Sequence, residues 1–213
     1  MRVLVACEFS GVVRDAFILR GHDAISCDLL PTESPGPHYQ GDIRDMLSEK
    51  WDLMIAHPPC TYLTNAGNRW FFWNGRGSRP YAKRWRLMYE AADFFKMLLH
   101  ADIPRVAVEN PARMFSSVPI RLPDQVIQPW EFGHKETKAT GLWLRGLPKL
   151  KPTKMMYGVR VSFTDDLFLT LSNKRDLSHE RSRTYPGIAR AMAKQWGIAC
   201  TPQQGIATPR DPR

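Results

Sequence analysis

Two side chains in this sequence are of types that could serve as a nucleophile and a proton donor at one site. Cys60 stands in the run Ile55-Ala56-His57-Pro58-Pro59-Cys60-Thr61-Tyr62-Leu63-Thr64, and Glu109 in Val106-Ala107-Val108-Glu109-Asn110-Pro111. Each follows a short apolar run and each is bordered by proline. Proline cannot donate to a central ladder, so both runs must leave their sheet at these points. Open α/β sheets bind ligands at the carboxyl ends of their strands, and the two side chains would share one pocket if their strands are neighbours. A thiol there becomes a nucleophile when its surroundings lower its pKa. A glutamate partly withdrawn from water has a raised pKa and can donate a proton to a ring nitrogen. Taken singly, Cys60 reads equally as a small buried residue in a turn, and Glu109 as a capping or salt-bridged acid. The Pro-Pro-Cys context and the second strand end together favour covalent catalysis.

These residues need a sheet to present them. Apolar runs predict buried strands over 2–7, 23–27, 51–56 and 104–108. Helices are expected over 12–20, 86–99 and 189–196. Val13, Phe17 and Ile18 share a core face in the first, which Gly21 ends; Leu87, Ala91, Phe94, Phe95 and Leu98 share one in the second. The stretch 29–40 reads as a proline-rich loop, and 112–150 as strands and hairpins, including 125–128, 129–138 and 140–144. The order predicts an α/β, Rossmann-like fold with a mostly parallel central sheet flanked by helices. One catalytic domain spans 1–200, with a reduced region at 145–180 and a disordered tail at 201–213.

The first strand–helix–strand unit suits a nucleoside. Glu8-Phe9-Ser10-Gly11 turns at the end of the first strand, where backbone can approach a cofactor, and Asp28 ends the second, where an acid accepts from ribose hydroxyls. Nothing resembling a phosphate loop is present. Asp42-Ile43, just before the strand at 51–56, could sit on an adenine, with Asp42 accepting from its amino group; Asp42 or Asp45 reads equally as a helix cap.

Composition narrows the class. The chain has 213 residues, 43% of them hydrophobic, enough for one domain with a sizeable core. Its net charge of +9 favours a polyanionic partner. Cys7, Cys27, Cys60 and Cys200 form no Cys-x-x-Cys pair, so neither a zinc site nor a disulfide framework is expected. No apolar run reaches the length of a membrane span, and the chain opens directly on a strand; a cytoplasmic location, away from membranes, is expected. The basic aromatic segment 65–86 interleaves Trp, Phe and Tyr with cations, and Gly75, Gly77 and Pro80 argue for a mobile loop. Aromatics stack on bases and cations track phosphates, so Arg69, Trp70, Arg76 and Arg79 are candidate nucleic-acid contacts. The competing reading has Trp70, Phe71 and Phe72 filling core with the cations merely solvated.

Pro59-Cys60 followed by Glu109-Asn110 resembles the cytosine C5 DNA methyltransferase family, in which a Pro-Cys loop supplies a nucleophile and a later Glu-Asn pair the acid. The resemblance makes Cys60, Glu109 and Asn110 catalytic and implies S-adenosylmethionine as cofactor, held by Glu8, Phe9, Ser10, Gly11, Asp28, Asp42, Ile43 and Pro59. Thr64 takes the place of the family's serine four residues past the cysteine, and 181–196 is similar to the late segment that returns over the cofactor. Substrate contacts would come from Thr64, Arg69, Trp70, Arg76 and Arg79, with Lys135 and Lys138 as candidates where the family's Gln-x-Arg-x-Arg segment is not recognisable. Departures are Val12-Val13 in place of further glycines, Pro111 after the Glu-Asn pair, and a region 145–180 too short for a usual target-recognition domain. The resemblance implies DNA, duplex or single-stranded, as substrate, and the chain's economy fits a phage or mobile element. The open alternatives are the same chemistry on RNA or a free pyrimidine nucleotide, and a non-catalytic nucleic-acid-binding module.

Overall fold

The structure is a computed structural model and describes residues 1–73, 79–158, 161–162 and 182–199. Expectations for Arg76, for most of 145–180 and for the tail from 201 lie outside those residues.

The strands are β1 (Arg2–Ala6), β2 (Asp23–Asp28), β3 (His38–Gln40), β4 (Leu53–Ala56), β5 (Val106–Pro111), β6 (Gln125–Ile127), β7 (Glu136–Thr137), β8 (Thr140–Arg145) and β9 (Val161–Ser162). Seven of them form one sheet in the order β3-β2-β1-β4-β5-β8-β6, while β7 and β9 pair separately. All pairings from β3 to β5 are parallel, and β8 runs antiparallel to both β5 and β6. This is the expected α/β, Rossmann-like architecture. The chain winds outward from β1 through β2 to β3, then restarts on the other side with β4 and β5, so the strand order reverses between β1 and β4. Open α/β sheets bind their ligands in the crevice that such a reversal opens at the carboxyl ends of the strands.

Strands buried on both faces read as continuous apolar runs, and β1 and β4 do so because a helix layer covers each side. Leu4, Ala6, Met54, Ala56, Val106 and Val108 pack under helix α2 (Ala82–Leu99). Val3, Val5, Leu53, Ile55 and Ala107 pack on the other face against helices α1 (Val12–Ile18) and α3 (Pro186–Ala199). No helix among the described residues is long and apolar enough to cross a membrane.

Several boundaries differ from the sequence reading. The helix expected from 86 begins at Ala82, so the last part of the basic aromatic segment is helical. Its buried stripe is Met88, Ala92, Phe95, Leu98 and Leu99 rather than one through Leu87, Ala91 and Phe94, which are half-buried. The sequence has apolar neighbours at 87/88, 91/92 and 94/95, so periodicity alone fits either of two stripes one residue apart. Ile18 is 38% exposed because Val13 and Phe17 already fill the contact of α1 with its layer. β1 stops at Ala6, since Cys7 takes a left-handed conformation with φ 58°. The proline-rich loop ends in the edge strand β3, too short to show alternation. The expected hairpin at 129–138 starts instead with a 3₁₀ turn, Pro129–Glu131, capped reciprocally by Gln128 and Glu131.

Candidate active site

The reversal between β1 and β4 opens a crevice of about 310 Å³ whose lining includes Cys7, Asp28, Asp42, Ile43, Pro59 and Phe94. Its first wall is the turn after β1. Gly11 begins α1 with φ 75°, a conformation that a β-carbon would resist and where one would meet the Arg14 guanidinium 2.5 Å away. Glu8 turns inward, 5% exposed, and accepts from the Val13 amide at 2.7 Å and the Arg14 amide at 3.2 Å. Ser10, 8% exposed, donates to Glu8 at 3.3 Å. The Glu8 and Ser10 side chains therefore satisfy the first amides of α1, and neither lines the crevice. The Phe9 carbonyl accepts from the Glu33 amide at 2.9 Å, tying this turn to the proline-rich loop.

That loop keeps its shape through a residue the sequence reading passed over. The Arg14 side chain is fully buried and its guanidinium donates to Ser26 Oγ at 3.2 Å, Thr32 Oγ1 at 3.3 Å and the Ser34 carbonyl at 3.0 Å, beside Asp15 at 2.8 Å. A buried guanidinium survives only with its donors satisfied, and here loop carbonyls and hydroxyls do so. Asp28 accepts from the Leu30 amide at 2.9 Å and still lines the crevice. Asp42 takes the capping role and also lines the crevice. It caps the short turn Ile43–Asp45 and takes the Arg44 amide at 2.9 Å and the Arg44 guanidinium at 2.7 Å. The Arg44 amide bond, reinforced by the guanidinium and only partly opposed by burial, holds its carboxyl below the usual carboxylate range. Two carboxylates beside the apolar walls of Ile43 and Phe94 suit a nucleoside, with acceptors for its hydroxyls and a flat face for its base.

The second half of the site lies at the ends of β4 and β5, neighbours as anticipated. Here β4 stops short of Pro58-Pro59, and two crossed hydrogen bonds join the chain beyond it to the last half of β5. His57 Nδ1 lies 2.9 Å from Glu109 Oε2, and Asn110 Nδ2 donates to the Pro58 carbonyl at 2.8 Å. Asn110, 2% exposed, thus touches the cysteine loop's backbone and acts in positioning it. Past Cys60 the chain turns at once: the Cys60 carbonyl accepts from the Leu63 and Thr64 amides at 3.0 and 3.1 Å. Thr64 then bridges to Met114. Cys60 itself is half-buried.

Glu109 departs from expectation. Burial alone would raise its pKa, but the hydrogen bond and charge of His57, helped by the charge of Lys138, outweigh it and hold the carboxyl below its ordinary value. It sits as a carboxylate rather than as a ready acid. Lys138 shares a small cleft with Glu109, Arg183 and Tyr185, so that candidate does reach the site; Lys135 is exposed and is not among that cleft's lining residues. Arg183, just before α3, pairs with Glu33 at 2.8 Å, so the late segment returns toward the proline-rich loop.

The basic aromatic segment divides. Phe71 is fully buried, stacked on Phe115 at 4.5 Å and edge-on to Trp85 at 5.2 Å, as the core reading had it. Trp70 and Trp73 are instead 56% and 58% exposed, with the Arg69 and Arg79 guanidinium groups over their rings at 4.6 and 5.6 Å. Arg84, from the first turn of α2, donates to the Thr61 carbonyl at 3.0 Å and covers Tyr62 at 4.5 Å, tying the helix to the cysteine loop. His57, Arg14, Arg84 and Arg183 are the residues sequence reasoning missed; only His57, inside the Pro-Pro-Cys run, carried a local signal. No cluster of three or more His, Cys, Asp or Glu side chains able to hold a metal occurs among the described residues.

No family model matches the chain, and no curated protein does. Among solved structures it is similar to a candidate DNA modification methyltransferase encoded within a prophage, from E. coli, at 12% identity over 79% of this chain and a TM-score of 0.45. The match covers 54% of that protein, so this chain spans about half its length.

Proposed function

We propose that this protein transfers the methyl group of S-adenosylmethionine to C5 of cytosine in DNA, through a covalent bond between Cys60 and C6. The observation that carries the reading is the crossed clasp between the Pro58-Pro59-Cys60 loop and Glu109-Asn110, built beside the crevice at the β1/β4 reversal. Cytosine C5 is a poor nucleophile, and a neighbouring thiolate remedies this by adding to C6. The C6–S bond forms as the C5=C6 electrons move toward C5. A carboxylate beside N3 raises the basicity of that nitrogen, so the base takes a proton from water and Glu109 holds the resulting N3–H. When bound, the cofactor supplies an electrophilic methyl group. The C5 proton then passes to the hydroxide left by that protonation, the C6–S bond breaks to release the thiolate, and N3 returns its proton to water, restoring the aromatic ring.

Asp28 and Asp42 would take the ribose and adenine donors, with Ile43 and Phe94 against the adenine faces. Trp70 and Trp73, each covered by an arginine, would stack on bases near the target, while the net charge of +9 draws the polyanion in. Two exposed tryptophans favour a strand over a free nucleotide, and a base inside a duplex would have to be flipped out to reach Cys60.

Radiolabelled S-adenosylmethionine offered with DNA, RNA and dCMP tests this directly, comparing the native chain with Cys60→Ser. Label recovered as 5-methylcytosine in DNA, absent with Cys60→Ser, is the expected result. Label only in RNA or nucleotide would change the substrate, and binding of DNA without transfer to any acceptor would leave a binding module.

A further inference from the structure

His57 lies three residues before Cys60, yet its imidazole engages Glu109 on the neighbouring strand. Nδ1 meets Oε2 at 2.9 Å with the two side chains 7% and 17% exposed. Nε2 is buried and has no hydrogen-bond partner. With Glu109 a carboxylate, Nδ1 is the donor in this pair, a role assigned from the partner it meets. The imidazole has a single side-chain hydrogen bond, and that bond is spent on one oxygen of the acid.

We infer that His57 is a positioning residue of the reaction, fixing the Glu109 carboxylate through Oε2 so that Oε1 is left to meet the target base. The role of the base rests on the proposed methyl transfer; the pair itself does not. A terminal carboxyl turns broadly about its last torsion, so a side chain at a strand end needs a second anchor to hold one orientation. Lys138, on β8's approach, attracts the same carboxylate from a different element, and without His57 it would draw Glu109 its own way. Asn110 holds the Pro58 carbonyl independently, so the cysteine loop has a brace that does not pass through His57. Removing the imidazole therefore disturbs where the acid points more than where the thiol stands. Misplacing a reacting group by an ångström costs about 10²-fold in rate.

Three substitutions separate this role from mere packing. In His57→Asn the amide nitrogen falls near the place of Nδ1 and keeps a donor for Oε2; in His57→Gln it falls further out, and His57→Ala has none. His57→Ala and His57→Gln are expected to lower kcat by roughly 10²-fold, with cofactor and DNA affinities within about twofold, and His57→Asn to recover about tenfold. In a Glu109→Gln background His57→Ala should cost nothing more, because its effect passes through the carboxylate. Equal losses in the Asn and Ala variants, or multiplying losses in the double variant, would overturn the assignment. A readout independent of turnover follows Glu109 by NMR in protein labelled with carboxyl-¹³C glutamate. Its titration should lie below the ordinary carboxyl range in the native chain and in His57→Asn, and move up in His57→Ala. An unmoved titration ends the inference and leaves the methyl-transfer reading intact. A titration that moves as expected, in a protein that methylates no base, ends the methyl-transfer reading while the pair stands.

Discussion

Two cysteine–glutamate pairs stand at the carboxyl ends of parallel strands in this protein. Cys7 and Glu8 follow β1, Cys60 follows β4, and Glu109 lies in the last half of β5, just past its pairing with β4. Residue types and topological places are alike, and the surroundings are not. Cys7 is fixed in a left-handed backbone position, and burial first, then the nearby Asp28, Cys27 and Asp42, push its thiol up to about 12. Glu8 has both oxygens taken by the first amides of α1. Cys60 instead sits half-buried in a turn whose carbonyl takes the Leu63 and Thr64 amides. Glu109 gives one oxygen to a side chain, His57, and stays on the wall of a cleft. A carboxylate used up by backbone amides is part of the fold; one held by a single imidazole is left with an oxygen to spare for a ligand.

The comparison can be broken first at sulfur. Cys60→Ser is expected to lower methyl transfer by about 10⁴-fold or more, the scale of losing a covalent nucleophile, measured as label entering DNA. Cys7→Ser should act on cofactor affinity alone, within about tenfold in an equilibrium binding measurement. Thiol chemistry gives the next largest contrast. Cys7 and Cys27, both pushed up to about 12 chiefly by burial, are protonated at neutral pH. Iodoacetamide at pH 7.5, mapped by peptide mass, should modify Cys60 roughly 10²–10³ times faster than either. Equal labelling of Cys7 would dissolve the distinction.

The glutamates sharpen it. Glu109→Gln should cut kcat by about 10²–10³-fold while moving the unfolding midpoint at neutral pH less than Glu8→Ala does. Glu8→Ala should do the reverse, lowering stability by about 1–3 kcal/mol because it strands two buried amides of α1, with the loss read by urea unfolding. The smallest effect is in acid. Glu109 has a folded pKa below its ordinary 4.5, so its pairing stabilises the fold fully above 4.5 and loses that contribution as the pH falls through the folded value. Acid unfolding of the native chain should therefore steepen below pH 4.5 relative to Glu109→Gln, and identical acid limbs would count against a charged pair.

Much of this was legible beforehand because proline and apolar runs act locally. Pro58-Pro59 and Pro111 had to end their strands wherever those strands lay, and the runs 3–6, 53–56 and 106–108 were too uniformly apolar to be anything but sheet interior. The hidden parts depend on groups distant in sequence. Arg14 looked like an ordinary helix cation, and only the folded 29–40 loop supplies the oxygens that let it be buried. Trp70, Phe71 and Trp73 are alike in composition, yet Phe115 and Trp85 claim only Phe71 for the core.

The alternation of strands and helices, the break at Pro58-Pro59 and the placing of Cys60 and Glu109 near two strand ends could be read from the chain alone, since proline and apolar runs act locally. Tertiary structure alone decided that Glu109 is a carboxylate and Glu8 a cap. A carboxyl group's charge and reach are set by the donors that surround it, and those of Glu109 arrive from His57, 52 residues away, and from Lys138 across the sheet edge.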